Sequence, residues 1–216
     1  MNIGIICYAS VGGSGVVATE LGKALATRGH DVHIISTEMP FRLGEFRAGL
    51  SFHQVITPTY PLFREPQYLL SLANKVVGVT REFNLDIIHA HYAVPHAAAA
   101  LLARQVLAST PGAVAPKLVA TLHGTDITLV GNDPSYSEIV AHSIEQSDCV
   151  TAVSQSLCES TRSELGVTRD IKVIPNFLDC SVHRTAPLSG SIESAGMQIS
   201  IQRAQKVRAQ VIDYFL

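Results

Sequence analysis

Short β-branched runs alternate regularly with longer helical patterns along this chain, and this alternation constrains the fold more than any other feature. It is typical of βαβ units, in which helices bury both faces of a parallel sheet. We therefore predict an α/β fold with a Rossmann-like, doubly wound parallel sheet. The seven predicted strands are Ile3–Cys7, Asp31–Ser36, Ser51–Val55, Ile87–His91, Lys117–Thr121, Cys149–Ala152 and Ile171–Ile174.

Helical periodicity predicts five helices between these strands. They are Gly15–Arg28, Pro66–Phe83, Pro95–Ala108, Ser135–Ser147 and Ser154–Leu165. Prolines and glycines predict two loops, at residues 37–49 and 110–116.

The 216 residues suffice for one α/β domain with a full core. We place this Rossmann-like body at residues 1–180. Residues 181–196 mix Pro, Ser and Gly and have the composition of a linker. An amphipathic tail follows at residues 197–216, and it is either a helix that packs on the body or the start of a second domain.

The composition excludes several classes of partner. A net charge of −2 gives no general attraction to nucleic acid or to anionic lipid. No apolar run approaches the length of about 20 residues that a membrane-spanning helix needs, and the first residues lack a basic leader. We therefore expect a cytoplasmic protein. The four cysteines are scattered without C-x-x-C spacing, so neither a zinc ribbon nor a redox pair is predicted.

A glycine-rich loop at residues 10–15 lies between the first predicted strand and the first predicted helix. Backbone N–H groups and the helix dipole converge on an anion at such a position, and glycines let a ligand touch the backbone. The loop therefore predicts a phosphate-binding site, although the lysine of a P-loop is absent.

Residues 13–18 also fit the dinucleotide fingerprint G-x-G-x-x-G/A, and Glu38 follows the second strand, where an acidic residue would hold a ribose hydroxyl. An NAD(P)-dependent oxidoreductase is therefore the alternative function. The fingerprint places its first glycine directly after the strand, whereas residues 8–12 intervene here. This longer, open loop argues against the alternative.

Polar residues lie at the carboxyl ends of two further predicted strands. His89, His91 and Tyr92 end the fourth strand, and Thr121 and His123 end the fifth. Because the carboxyl ends of parallel strands share one edge, these side chains and the glycine-rich loop should face a single cleft. A buried strand seldom ends in so many polar residues without a function.

His123 is the strongest candidate among these residues. Gly124 after it allows close approach of a ligand, and Asp126 is placed to orient the imidazole or to cap the next segment. A metal site built from His89, His91, His123 and Asp126 is the competing interpretation, since residues i and i+2 of a strand share a face. No recognised metal spacing is present, so we expect no metal.

Six motifs in order resemble one family of enzymes. They are CYASVGGSGVVATELGK at 7–23, PFRL at 40–43, HAHYAVPHA at 89–97, TLHGTDIT at 121–128, SDCVTAVS at 147–154 and NFLD at 176–179. Together they resemble the N-acetyl-α-D-glucosaminyl L-malate synthases, retaining glycosyltransferases of bacillithiol biosynthesis with two Rossmann-like domains (the GT-B fold). The resemblance covers about residues 1–180, which would be the N-terminal half.

The resemblance implies UDP-N-acetylglucosamine as donor, L-malate as acceptor, and no cofactor beyond the UDP-sugar co-substrate. It implies that Gly13 and Gly15 bind the donor diphosphate. The residues that it implies in contact with malate or the reacting sugar are Ser14, Tyr92, Thr121 and His123, of which His123 is also the catalytic candidate. Further candidates are Arg42, Asp126 and Asn176.

In that family the second domain supplies most of the donor site, and residues 199–215 resemble the start of that domain only faintly. We therefore expect the chain alone to turn over slowly or not at all. An apolar face meant for a second domain also predicts self-association, as a homodimer or a larger assembly.

Overall fold

The computed structural model describes residues 1–44, 47–63, 65, 67–112 and 114–177. The chain divides into a first compact unit, Met1–Val173, and a second unit, Ile174–Leu216, of which the described part ends at residue 177. The predicted linker and tail, and the predicted end of the body at residue 180, lie outside the described residues.

The first unit contains one sheet of seven parallel strands in the order β3-β2-β1-β4-β5-β6-β7. This order confirms the predicted doubly wound fold, because the chain starts at an interior strand, proceeds to one edge and returns to build the other side of the sheet. The strands are β1 Asn2–Ile6, β2 Asp31–Ser36, β3 Leu50–Gln54, β4 Ile87–His91, β5 Lys117–Leu122, β6 Cys149–Ala152 and β7 Ile171–Val173.

Among the described residues, five α-helices cover the sheet. They are α1 Ser14–Thr27, α2 Tyr68–Phe83, α3 Ala98–Ala108, α4 Ser137–Glu145 and α5 Gln155–Leu165. Leu72 of α2 and Ala103 of α3 belong to the same buried core as Ile88 of β4. The helix α1 lies on the opposite face, because a Cβ on Gly22 would sit 3.0 Å from the side chain of Ile34.

The alternation of side chains along each strand separates apolar from polar residues in the middle of the sheet. Apolar residues of β4 and β5, such as Ile88 and Leu118, join the core beneath α2 and α3. The buried polar residues of the other face, on the side of α1, are His89, His91, Thr121 and Thr151. This polar row leads towards the carboxyl edge of the sheet.

Two short helical turns were not predicted as separate elements. A π-type turn at Ala93–Ala97 contains the non-helical residue Val94, so the predicted helix Pro95–Ala108 becomes this turn followed by α3. A second π-type turn, Asp126–Gly131, follows β5. Both turns are too short for an apolar period to reveal them, and both are fixed by contacts between loops.

The predicted helix Ser135–Ser147 is shorter in the structure, because Asp133 holds a turn before α4 through a 2.8 Å hydrogen bond from the amide of Ser135 to Oδ1. Ser154 caps α5 instead of belonging to it, accepting a hydrogen bond from the amide of Leu157 at 3.1 Å. Within the described ranges, no helix is both long and apolar enough to span a bilayer.

Candidate functional site

The carboxyl ends of β1, β4 and β5 are brought together by aromatic contacts, as the sequence predicts. The ring of Tyr8, just after β1, lies 4.4 Å from the ring of His96 and 5.6 Å from the ring of Tyr92, measured between centroids. Tyr92 in turn lies 5.2 Å from the ring of His123, after β5. We call this edge, formed by residues 7–15, 89–97 and 121–126, the rim.

The glycine-rich loop presents the first turn of α1 at the rim. Gly13 precedes the helix with φ of 58°, a conformation that favours glycine, and no atom of the described chain lies within 4 Å of a Cβ built there. The first helical hydrogen bond runs from the amide of Val17 to the carbonyl of Gly13. The amides of Ser14 and Gly15 therefore precede the helical ladder, where an anion is stabilised.

The structure gives a reason for a glycine at position 15 that is separate from the predicted contact with a diphosphate. A Cβ at this position would lie 2.6 Å from the carbonyl oxygen of Tyr8 and 2.9 Å from that of Ser10. The absence of a side chain therefore lets the loop fold back onto the helix start. Contact of Gly15 with a diphosphate stays a prediction, as does contact of the buried Ser14 with the acceptor.

Asp126 joins the two histidine-bearing loops. Its Oδ1 accepts hydrogen bonds from the amides of His123 at 3.1 Å and Gly124 at 3.0 Å, and its Oδ2 accepts one from the amide of Ala93 at 3.1 Å. The carboxyl group is 1% exposed. Asp126 therefore orients the backbone that carries His123, through backbone amides and not through the imidazole, and its predicted role towards a ligand stays a prediction.

His91 and His123 form a hydrogen-bonded pair across the rim. Nδ1 of His91 lies 2.9 Å from Nε2 of His123, and the rings are stacked with centroids 5.1 Å apart. His91 is 1% exposed, whereas His123 is partly exposed. The imidazole of His123 is thus the member of the pair that a ligand can reach.

His96 holds the loop after β4 through hydrogen bonds made by both of its ring nitrogens. Its Nδ1–H donates to the backbone carbonyl of His91, because a carbonyl oxygen can only accept, and its Nε2 accepts from the hydroxyl of Tyr68 at 3.4 Å. His96 is fully buried. It acts as a structural group that holds the rim loop in place.

Thr121 does not present a free hydroxyl to the rim. Its Oγ1 lies 2.7 Å from Nε2 of His89 and 2.7 Å from Oγ1 of Thr151, so the hydroxyl is engaged within the polar row of the sheet. The residue is 8% exposed. Any contact of Thr121 with a ligand stays a prediction, and the structure assigns its hydroxyl to positioning.

Tyr92 has a strained backbone conformation. Its φ is 95°, which costs a side chain other than glycine of the order of 1–3 kcal/mol. The amide of Tyr92 donates to the carbonyl of Thr121 at 2.9 Å, and the hydroxyl of Thr125 donates to the phenol oxygen at 3.3 Å. These bonds to the neighbouring loop hold Tyr92 in place.

Burial controls the charge of the histidines at the rim. It lowers the pKa of His89 to about 3 and the pKa values of His96 and His123 to about 4. Burial, followed by repulsion from the neighbouring histidines, also lowers the pKa of His91 well below its ordinary value. All four imidazoles are therefore neutral at pH 7, and they act there as polar hydrogen-bonding groups without charge.

Burial raises the pKa of Asp126, and the hydrogen bonds that its carboxylate accepts from backbone N–H groups oppose this shift. No three His, Cys, Asp or Glu side chains of the described residues are arranged to hold a metal ion. The expected absence of a metal stays a prediction.

Comparison with known proteins identifies the family. Residues 11–182 match the model for Glycosyltransferase Family 4, which covers most of the chain. The chain belongs to Glycosyltransferase Family 4. The family membership removes the support for the NAD(P)-dependent oxidoreductase alternative, and Glu38 is an exposed residue after β2.

A curated relative from Bacillus anthracis, N-acetyl-alpha-D-glucosaminyl L-malate synthase, is 45% identical to this family 4 chain over 214 residues. The match includes 96% of this chain and 55% of the relative, so the chain spans about half the length of that protein.

Solved structures share the fold at low identity. A sucrose-phosphate synthase from Thermosynechococcus elongatus superimposes with a TM-score of 0.62 at 16% identity, covering 86% of this chain and 50% of that one. Alr3699/HepE of Anabaena, solved in complex with UDP-glucose, gives a TM-score of 0.59 at 17% identity, with coverages of 93% and 50%. The family 4 chain therefore has the fold of one half of a GT-B glycosyltransferase.

Two further candidates of this family 4 chain are not among the rim residues described above. Arg42 is half-buried in the loop after β2, and Asn176 is exposed in the second unit. Their roles stay predictions. Two aromatic residues that were not predicted as site residues, Tyr8 and Tyr68, pack on His96, and the only sequence signal for Tyr8 is its place two residues after β1.

Exposed apolar side chains lie beside the start of α2 in this family 4 domain. Leu62 is 81% exposed and Ile56 is 71% exposed, next to a groove of about 710 Å³ lined in part by Ile56, Tyr60 and Phe63. Such a surface is compatible with self-association. Self-association stays a prediction.

Replacing Gly15 by alanine should destabilise the family 4 domain by about 3 kcal/mol, because the new Cβ meets backbone oxygens that cannot move without opening the loop. Thermal unfolding should show a decrease in Tm of roughly 10 °C for a chain of this size. Gly12→Ala is the matched control, since a Cβ there meets no atom of the described chain within 4 Å. Equal Tm values for the two variants would contradict the assigned packing.

Proposed function

We propose that this chain forms the acceptor-binding half of a retaining glycosyltransferase that transfers N-acetylglucosamine from UDP-N-acetylglucosamine to L-malate. The observation that carries the proposal is the rim, where the ring of Tyr92 contacts that of His123 and that of Tyr8, in the loop that leads into α1. The 45% identity to an N-acetyl-alpha-D-glucosaminyl L-malate synthase supports the choice of substrates.

The electrostatics of the rim support an anionic ligand. The net charge of the chain is −2, and the histidines of the rim are neutral at pH 7, so bulk charge does not attract malate or a diphosphate. Compensation has to come from aligned N–H dipoles, and the first turn of α1 supplies them without a side-chain cap at Gly13. In this proposal the diphosphate lies against the amides near Gly13 and Gly15.

Transfer with retained configuration needs alignment more than a protein base. The departing diphosphate oxygen is placed to accept the proton of the malate hydroxyl on the same face of the sugar, so the protein holds the two substrates in register and stabilises the leaving charge. His123 and Tyr92 would orient the acceptor and the sugar. Ser14 and Thr121 would support them, the latter through its hydroxyl network.

Binding experiments test the proposal without requiring turnover. Isothermal titration of the chain with L-malate should give saturable heat, and succinate, which lacks the 2-hydroxyl group, should bind more weakly. UDP-N-acetylglucosamine should raise the Tm by mass action. Stabilisation by NADH, with no effect of malate or the UDP-sugar, would reject the proposal in favour of a dinucleotide enzyme.

Replacing His123 by alanine should weaken the binding of L-malate by about 10- to 100-fold, because a hydrogen bond to a charged ligand contributes about 1.5–3 kcal/mol. The fold should persist, since His123 is partly exposed. Titration calorimetry measures the change, with circular dichroism to confirm folding. His142→Ala, an exposed histidine of α4, is the control and should leave affinity unchanged. Unchanged affinity in both variants would remove His123 from the site.

A further inference from the structure

The 2.9 Å contact between Nδ1 of His91 and Nε2 of His123 has two possible arrangements, because both rings are neutral and only one proton lies between the two nitrogens. In the first arrangement, Nδ1–H of His91 donates and Nε2 of His123 accepts. In the second, Nε2–H of His123 donates and Nδ1 of His91 accepts. Each arrangement fixes where the other proton of each ring must be.

The second ring nitrogen of His91 decides between the two arrangements. Nε2 of His91 is buried and has no hydrogen-bond partner. The second arrangement would put a proton on this nitrogen and bury an N–H group without an acceptor, at a cost of about 1–3 kcal/mol. The first arrangement leaves only a bare lone pair there, and orphaned N–H groups are the rarer kind of unsatisfied group in proteins.

The backbone around His91 holds the ring in the geometry that the first arrangement needs. His96 donates Nδ1–H to the carbonyl of His91, and the next amide, of Tyr92, donates to the carbonyl of Thr121. On the opposite side, Asp126 accepts from the amide of His123. Both partners of the imidazole pair are therefore anchored through their backbones.

We propose that His91 is a positioning residue that fixes His123 in the tautomer protonated at Nδ1, so that His123 offers an N–H donor to the ligand at the rim. Nδ1 of His123 has no hydrogen-bond partner among the described residues and is not one of the buried unpaired atoms. It is thus the nitrogen that remains for a ligand. His123 then serves as a donor and not as a proton acceptor.

The chemistry of the ligands agrees with this assignment, which in this respect rests on the proposed function. Carboxylate and diphosphate oxygens only accept hydrogen bonds at neutral pH, so a neutral imidazole helps them only through its N–H. A His123 protonated at Nε2 would instead direct a lone pair at these oxygens. The buried partner His91 thereby selects the side of the ring that binds an anion.

Long-range ¹H–¹⁵N correlation spectra of the 216-residue chain at pH 7, without any ligand, test the assignment directly. The signals of His123 are identified by their loss in His123→Gln. We expect Nδ1 of His123 to show the shift of a protonated nitrogen and Nε2 that of an unprotonated one. The opposite pattern would overturn the inference and would leave the proposed function standing.

Two variants of His91 separate positioning from simple packing. In His91→Asn the side-chain amide places an N–H near the position of Nδ1, so the tautomer of His123 should be retained. In His91→Leu the donor is lost, and the two ring nitrogens of His123 should move towards intermediate shifts, with affinity for L-malate about tenfold lower. Identical spectra of His123 in both variants would overturn the role of His91. Absence of malate binding in the unsubstituted chain would instead contradict the proposed function alone.

Discussion

Acidification from pH 7 to about pH 5 should strongly destabilise this chain, because four histidines at the rim are neutral in the folded state and resist protonation there. Each such histidine has an unfolded pKa of about 6.5. In the folded chain the pKa values of His96 and His123 are about 4, that of His89 is about 3, and that of His91 is well below 6.5.

The sign follows from proton uptake. Between about pH 6.5 and about pH 4 the unfolded chain binds protons on these side chains and the folded chain does not, so stability is fully present above about pH 6.5 and decreases as the pH falls. One histidine changes the free energy of unfolding by about 1.4 kcal/mol per pH unit in this window, so four change it by at most about 5.6 kcal/mol per pH unit. The total free energy of unfolding of a typical domain is about 5–15 kcal/mol.

Urea unfolding at a series of pH values measures this slope. His89→Gln removes one titrating group and should reduce the slope by about 1.4 kcal/mol per pH unit, whatever it does to stability at pH 7. His142→Gln, at an exposed position of α4, should leave the slope unchanged. A flat profile between pH 7 and pH 5 would show that the buried histidines take up protons in the folded state.

Asp126→Ala should destabilise the chain by about 4 kcal/mol, the largest expected effect of a single substitution. Three backbone N–H groups, of Ala93, His123 and Gly124, lose their common acceptor, and each buried donor left unsatisfied costs about 1–3 kcal/mol. The removal of a buried carboxyl group returns part of this cost, since burial opposes its charged form. The net loss corresponds to a decrease in Tm of roughly 10–15 °C.

Asp133→Ala is the matched control for this substitution. Asp133 also accepts a hydrogen bond from a backbone amide, that of Ser135 at 2.8 Å, but at an exposed turn where water replaces the lost acceptor. Its cost should stay below about 1 kcal/mol. The loss of stability in Asp126→Asn should lie between those of the two alanine variants, because the single amide oxygen can accept hydrogen bonds from the amides of one loop only. Similar Tm values for Asp126→Ala and Asp133→Ala would contradict the joining role of Asp126.

The sequence predicts the sheet well because its strands are short apolar runs bounded by glycine, proline and polar residues. The bounds of β2, β4 and β6 agree with prediction to the residue, β5 and β7 differ by one residue at one end, and β1 and β3 by one residue at both ends. The sharpest deviation is the segment after β4, where Val94 interrupts the helix predicted from Pro95 onwards. There the loop after β5 sets the path of the chain, through Asp126 and the amide of Ala93.

The site is predicted in its location and less well in its details. Polar residues at strand ends indicate the rim, since parallel strands end on one edge. Spacing along the chain does not reveal that the hydroxyl of Thr121 is hydrogen-bonded to His89 and Thr151. Nor does it reveal that Gly15 lets its own loop pack against the start of α1. These facts depend on register between strands and on the path of a loop, which arise from tertiary packing.

Position 92 has a further consequence for how such a protein can change. A glycine there would adopt the φ of 95° without steric strain, although it would also raise the conformational entropy of the unfolded chain. The aromatic ring is what links the ends of β4 and β5 to the loop after β1. Relief of the backbone strain at this position would therefore come only with loss of these ring contacts, so the strain and the joint between the three loops are retained or lost together.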